Sequence, residues 1–62
     1  MSTTIHLVNG RLHEVAEDLD EVDERFRAAQ TAHQLEITFT LVDGRQVHIK
    51  PSEIAFFRTG RG

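Results

Sequence analysis

Histidines are the residues of this sequence that most readily suggest a chemical site. The chain has four of them, and imidazole is a common zinc ligand. No two stand four residues apart, and Glu17 occupies the place where the His13-Glu14 start of a zinc-protease motif needs a second histidine. The chain also has no cysteine. We therefore predict that no metal or cofactor is bound and that the histidines are ordinary sheet and surface residues. They are His6, His13, His33 and His48.

Acidic residues form the densest charged feature of the chain. Six of the eight positions from 17 to 24 are aspartate or glutamate. Asp20, Asp23 and Glu24 lie on the side of the predicted helix away from its apolar residues. Such a face usually serves only to keep a helix in water. The alternative is that these three residues form an acidic docking face for a basic partner.

Basic residues in the second half of the chain suggest a different partner. Residues 34–62 carry four basic and three acidic side chains, whereas residues 1–33 carry three and seven. Nucleic-acid binding needs cations near the phosphates and aromatic rings that stack on bases. The net charge of −3 and the absence of tyrosine and tryptophan argue against it, so nucleic-acid binding is the alternative hypothesis. Its candidate contacts are Arg45, Lys50, Arg58 and Arg61.

Catalytic chemistry has little support in this sequence. The chain has no cysteine or tyrosine, its only serines are Ser2 and Ser52, and no motif joins a nucleophile to a base. A chain of 62 residues also has little room for a substrate pocket. We predict that the protein is not an enzyme.

Two hairpins must position any site, because one eight-residue pattern occurs twice. Residues 4–11 (TIHLVNGR) recur 34 positions later as TFTLVDGR in residues 38–45. Asn-Gly and Asp-Gly between apolar residues are strong hairpin signals. In the second hairpin, a three-residue loop with Gly44 in the left-handed conformation gathers the apolar residues on one face. It pairs Leu41 with Arg45, Phe39 with Val47, Ile37 with Ile49, Thr38 with His48 and Glu36 with Lys50.

The first hairpin is expected to follow the same register, with Ile5 opposite His13. A two-residue turn at Asn9-Gly10 is the alternative, and it would place His6 beside His13. We prefer the first register by analogy with the second hairpin. It turns one histidine inward, at the boundary of the core, where its charge could respond to pH. The inward set is Ile5, Leu7, His13 and Val15.

One amphipathic helix is predicted between the hairpins. Asp18 and Glu21 have the spacing of an N-terminal capping box. Pro51 should end or bend the fourth strand, and residues 54–58 should form a fifth. The fold class is therefore α+β: a small ββαβββ domain with an antiparallel sheet built from two hairpins and one helix packed on one face. The apolar stripe of the helix is Leu19, Val22, Phe26 and Ala29.

The last predicted strand gives the best indication of a partner. Neighbouring strand residues point to opposite faces, so Ile54 and Phe56 should be buried with Phe57 outward, or the reverse, unless a twist hides both. Short chains without disulfides often complete their core by association, and a terminal strand offers a free edge. We therefore predict a non-enzymatic protein-interaction module, an accessory or regulatory subunit that forms a homodimer or binds another protein. Its expected interface residues are Ile54, Phe56, Phe57 and Arg58.

The whole chain, residues 1–62, is expected to form a single domain with residues 59–62 as a flexible tail. Its first residues contain neither a basic region nor an apolar run of signal-peptide length. No later segment is long and apolar enough to span a membrane. The sequence therefore favours a cytoplasmic protein without a membrane partner.

Overall fold

The computed structural model describes residues 2–60, and within them it contains the five strands and the helix that the sequence predicts. The ββαβββ order and the α+β class are confirmed. No helix in this part of the chain is long and apolar enough to cross a membrane. In chain order the elements are β1 (Thr3–Leu7), β2 (Leu12–Val15), α1 (Leu19–Thr31), β3 (Ile37–Thr40), β4 (Gln46–Ile49), a 3-10 turn (Pro51–Glu53) and β5 (Ile54–Thr59).

The second hairpin has the predicted register. Phe39 lies opposite Val47, and Thr38 lies opposite His48, whose Nδ1 is 3.0 Å from the Thr38 hydroxyl oxygen. The loop has three residues because Gly44 takes a φ of +95°, a conformation that other residues rarely adopt. This register puts the large side chain of Phe39 in the core, where it is fully buried.

The first hairpin also has the preferred register, and the two-residue turn is wrong. Ile5 lies opposite His13, and the Leu7 N–H donates to the Arg11 carbonyl at 2.8 Å. Gly10, with a φ of +89°, repeats the role of the second glycine. His13 is half-buried at the boundary of the core, as expected for an inward position beside a buried isoleucine.

The order of strands places the first strand beside the last one. β1 is the central strand of a three-stranded sheet with the order β2-β1-β5, and β3 and β4 form a two-stranded sheet. The sheets meet at the end of β2, where Val15 bridges to Leu41 and the Ala16 N–H donates to the Thr40 carbonyl at 2.7 Å. β5 therefore lies at the edge of its sheet, beside β1 and not beside β4.

An irregularity in β5 decides which phenylalanine faces outward. Phe56 and Ile54 pair with consecutive residues of β1, so Ala55 has no partner there and forms a β-bulge, which is one extra residue on β5. The extra residue places Ile54 and Phe57 on the same inner face, although they are three positions apart. Phe56 consequently lies on the opposite face and is the outward phenylalanine, so the expectation that Phe57 faces outward is wrong and the reverse arrangement of the two phenylalanines holds.

Helix α1 covers the inner face, as predicted. The Asp18 carboxylate caps it by accepting a hydrogen bond from the Glu21 backbone N–H at 2.9 Å. Further along the helix, Phe26 meets Phe57 edge to face, with ring centroids 5.8 Å apart. The buried hydrophobic residues of the core are Ile5, Val15, Val22, Ala29, Ile37, Phe39, Ile49 and Ile54.

The last residues of the described chain are held by β1. Pro51 follows the end of β4, as predicted, and it is the first residue of the 3-10 turn. Thr59, in the predicted tail 59–62, is the last residue of β5 and lies opposite Thr3. The Gly60 N–H donates to the Ser2 carbonyl at 2.9 Å. The backbone of Ser2 and of the first strand thus pairs with residues 59 and 60, and residues 61 and 62 lie outside the described residues.

Candidate functional site

The face of the three-stranded sheet that points away from α1 is the candidate site. Thr3 and Ile5 of β1 are buried in the core, so Thr4 and His6, which alternate with them, point outward. Strand pairing extends each of them into a row across the sheet. The first row contains Glu14, Thr4 and Arg58, and the second row contains Leu12, His6 and Phe56. We call these six residues the outer face.

The second row is an exposed apolar strip with a histidine at its centre. The rings of His6 and Phe56 stack with centroids 4.3 Å apart and planes only 12° from parallel. Leu12 on the other side of His6 remains 56% exposed, and Phe56 remains 54% exposed despite the stack. The sheet thus presents large apolar surface to water at a rigid, flat position, because both side chains stand on a paired backbone.

The first row is polar and carries opposite charges at its two ends. The Ser2 hydroxyl donates to Glu14 Oε2 at 2.8 Å. Arg58 is exposed and forms no ion pair with any of residues 2–60, in contrast to Arg25, which is paired. An open surface pocket of about 470 Å³ lies over both rows between Leu12 and Arg58.

The imidazole of His6 has one unsatisfied nitrogen. Its Nε2 is enclosed and has no hydrogen-bond partner among the described residues. A buried polar atom without a partner costs roughly 1–3 kcal/mol of folding free energy. The aromatic stack therefore holds the ring in a position that is unfavourable for that nitrogen.

Replacing His6 with phenylalanine is expected to stabilise the fold. His6→Phe keeps a flat ring against Phe56 and removes the unsatisfied nitrogen, so we expect a gain of about 1 kcal/mol. For a domain of this size that gain corresponds to a rise in Tm of about 4–8 °C. Thermal unfolding followed by circular dichroism at low micromolar concentration measures it. An equal or lower Tm would contradict the assignment of Nε2 as unsatisfied.

The predicted interface residues divide between the core and the outer face. Ile54 is 9% exposed and belongs to the core, and Phe57 packs on it from the inner face. Neither residue offers much area to a partner, because the extra residue Ala55 turns both of them inward. Phe56 and Arg58, in contrast, lie on the outer face as prominent exposed residues.

The candidate nucleic-acid contacts do not form one patch in the described chain. Arg45 directly follows the second hairpin loop, and its Nε is 2.8 Å from an oxygen of Asp43. Hydrogen bonds from the Arg45 backbone N–H and side chain lower the pKa of Asp43, and the same carboxylate raises the pKa of Arg45. Lys50 follows the other end of β4, about 17 Å away along the strand. Arg58 is on the other sheet, and Arg61 lies outside the described residues.

The acidic docking face is partly engaged within its own helix. Asp20 and Glu24 are exposed, but Asp23 pairs with Arg27 at 3.0 Å. The docking role stays a prediction. Among residues 2–60, no three histidine, aspartate or glutamate side chains lie close enough together to hold a metal ion.

Glu17 has a structural role that its place in the acidic run conceals. Its side chain is only 8% exposed, and both carboxylate oxygens lie 3.0 Å from the Thr40 backbone nitrogen. Arg25 approaches the same carboxylate at 3.4 Å and donates to the Thr38 carbonyl at 2.8 Å. The Glu17 carbonyl accepts the hydroxyl of Thr3 at 2.9 Å. This residue therefore connects the three-stranded sheet, the helix and β3.

Composition did not distinguish Glu17 from the other acidic residues, since six acids lie close together in residues 17–24. The position just before the Asp18 cap was the one available indication, because a residue there must turn from β2 into the helix.

Comparison of the chain with models of known protein families, and with curated proteins, found no match to either.

Proposed function

We propose that this chain is a non-enzymatic protein-interaction module, acting as an accessory or regulatory subunit, that forms a homodimer through its outer face. The observation that carries the proposal is the exposed strip of Leu12, His6 and Phe56 on the face that α1 leaves uncovered. Apolar side chains grouped on a flat surface are typical of interaction sites, whereas isolated ones are common anywhere.

The small size of the chain supports a second copy as the partner. A domain of about 60 residues buries only about 60% of its unfolded surface, and association is one way in which such domains gain burial. The outer face also has an acidic end and a basic end in one row, so one copy supplies what another needs. Such self-complementarity is a requirement of a twofold interface.

The area of the outer face sets the expected strength of the dimer. Three strands about 4.8 Å apart and five residues long cover roughly 14 by 17 Å. Two such faces bury less than the roughly 1,200 Å² at the lower limit of standard interfaces. Interfaces below that limit are typical of weak and transient complexes. We therefore expect a dissociation constant between about 1 µM and 1 mM.

Phe56→Asp tests the proposal. The substitution removes apolar area from both copies and adds two charges to the interface, so the dissociation constant should rise at least about 100-fold. Sedimentation equilibrium from about 1 µM to 1 mM measures it, with the expected wild-type transition from monomer to dimer in that range. The fold should persist, because the side chain is exposed.

Leu35→Asp is the matched control, because Leu35 is 84% exposed and lies outside the outer face. It should dimerise like the wild type. A wild-type chain that stays monomeric up to 1 mM would overturn the proposal. A Phe56→Asp chain that dimerises as well as the Leu35→Asp control would overturn it too.

A further inference from the structure

We propose that the two copies stack their outer faces about a twofold axis parallel to β1, so that Glu14 of each copy pairs with Arg58 of the other. This inference rests on the proposed function and specifies how the second copy is oriented. It follows from the positions of charged and apolar side chains in the two rows of the outer face.

The central position of β1 determines what a twofold axis brings together. β2 and β5 lie on opposite sides of β1, and each is about 4.8 Å from it. Consider a twofold axis that lies between the two stacked faces and runs parallel to β1. Rotation by 180° about this axis places β2 of one copy opposite β5 of the other. Glu14 then faces the second copy's Arg58, and Leu12 faces the second copy's Phe56. Both contacts occur twice, because a twofold interface is isologous.

A twofold axis perpendicular to the strands gives a poorer match. It exchanges the two rows, so Glu14 would face the apolar Leu12 of the second copy. A carboxylate that loses water without gaining a counter-ion is costly. Arg58 would then face a phenylalanine ring, and neither charge would meet its opposite. The distribution of charge therefore selects the axis parallel to β1.

The two charged groups are available for pairing across the interface. Arg58 has no ion-pair partner within residues 2–60. Ser2 occupies Oε2 of Glu14, and Oε1 accepts no hydrogen bond in the same part of the chain. The two ends of the row are separated by Thr4, whose side chain is too short to bridge them.

Sheet twist does not prevent this pairing. Stacked sheets cross at about 30°, which shifts a residue about 6 Å from the centre of the face by only about 3 Å. The flexible side chains of glutamate and arginine span that shift. The same stacking distance of about 10 Å brings the apolar strips of two copies into contact.

Complementary charge reversal tests the axis. The variants Glu14→Arg and Arg58→Glu each replace two attractive pairs by two repulsive ones, so each homodimer should weaken about tenfold. An equimolar mixture should form a heterodimer in which both pairs are again attractive, with a dissociation constant within about threefold of the wild type. Native mass spectrometry distinguishes the heterodimer from the homodimers by mass, and sedimentation gives its affinity.

Recovery in the mixture also shows that both variants fold, since an unfolded chain would not dimerise. If thermal unfolding shows that either variant is unfolded alone, Glu14→Lys and Arg58→Asp replace them. A mixture that forms no more heterodimer than chance would overturn the proposed axis. If Phe56→Asp still abolished the dimer in that case, the outer face would remain the interface and only its orientation would be wrong.

Discussion

Glu17→Ala is expected to lower the free energy of unfolding by about 2–3 kcal/mol. The substitution leaves the Thr40 N–H without its acceptor and takes one carboxylate partner from Arg25. A hydrogen bond to a charged group contributes about 1.5–3 kcal/mol, and its loss at a buried site also leaves a donor unsatisfied. The ion pair itself adds little, because the Arg25 side chain is 41% exposed and keeps its bond to Glu21.

A loss of that size would be a large fraction of the total stability. Stability of about 0.05–0.15 kcal/mol per residue gives a chain of 62 residues a total of roughly 3–9 kcal/mol. Urea denaturation followed by circular dichroism measures the change. Glu24→Ala is the matched control, since Glu24 belongs to the same acidic run but is exposed, and it should change stability by less than about 0.5 kcal/mol. Equal effects of the two substitutions would contradict the role of Glu17.

Phe57→Ala is expected to cost about 3 kcal/mol, whereas Phe56→Ala should cost about 1 kcal/mol or less. Phe57 packs against the core and contacts Phe26 edge to face, so truncation removes buried area and an aromatic pair. Phe56→Ala removes only the stack between this ring and His6, because more than half of the Phe56 side chain is already exposed to water.

Comparing the stability losses of Phe56→Ala and Phe57→Ala tests whether Ala55 is an extra residue in β5. Without Ala55 as an extra residue, strict alternation from the buried Ile54 would place Phe56 inside and Phe57 outside. Chemical denaturation of both alanine variants at a concentration where the chain is monomeric gives the two values. A larger loss for Phe56→Ala than for Phe57→Ala would show that the register of β5 is wrong.

Local patterns determined most of the fold. The registers of both hairpins followed from the loop glycines and from which residues alternate, because the paired strands are adjacent in sequence. The Asp18 cap and the end of β4 before Pro51 followed in the same way from single residues with restricted roles.

Contacts between distant segments were beyond the reach of these patterns. The pairing of β1 with β5 joins residues more than 45 positions apart, and no turn specifies their register. The sequence therefore left open which phenylalanine faces out, and the extra residue Ala55 decided it. Glu17 was missed for a similar reason, since its acceptor role depends on the backbone of β3 on the other sheet.

The candidate site was anticipated in part. Phe56 and Arg58 were selected from the sequence, and the structure places both on the outer face. His6, Leu12 and Glu14 joined them only through strand pairing, because their alternation shows that they point outward but not what lies beside them. The cytoplasmic location and the absence of enzymatic activity stay predictions.

Amide chemical shifts measured against protein concentration test whether the chain dimerises through its outer face. In ¹H–¹⁵N spectra from about 20 µM to 1 mM, we expect progressive shifts confined to β1, β2 and β5. The largest should belong to His6, Leu12 and Phe56, with constant positions for the exposed face of α1 and for β4. Shifts concentrated in α1 or β4, or spectra that do not change with concentration, would contradict a dimer through the outer face.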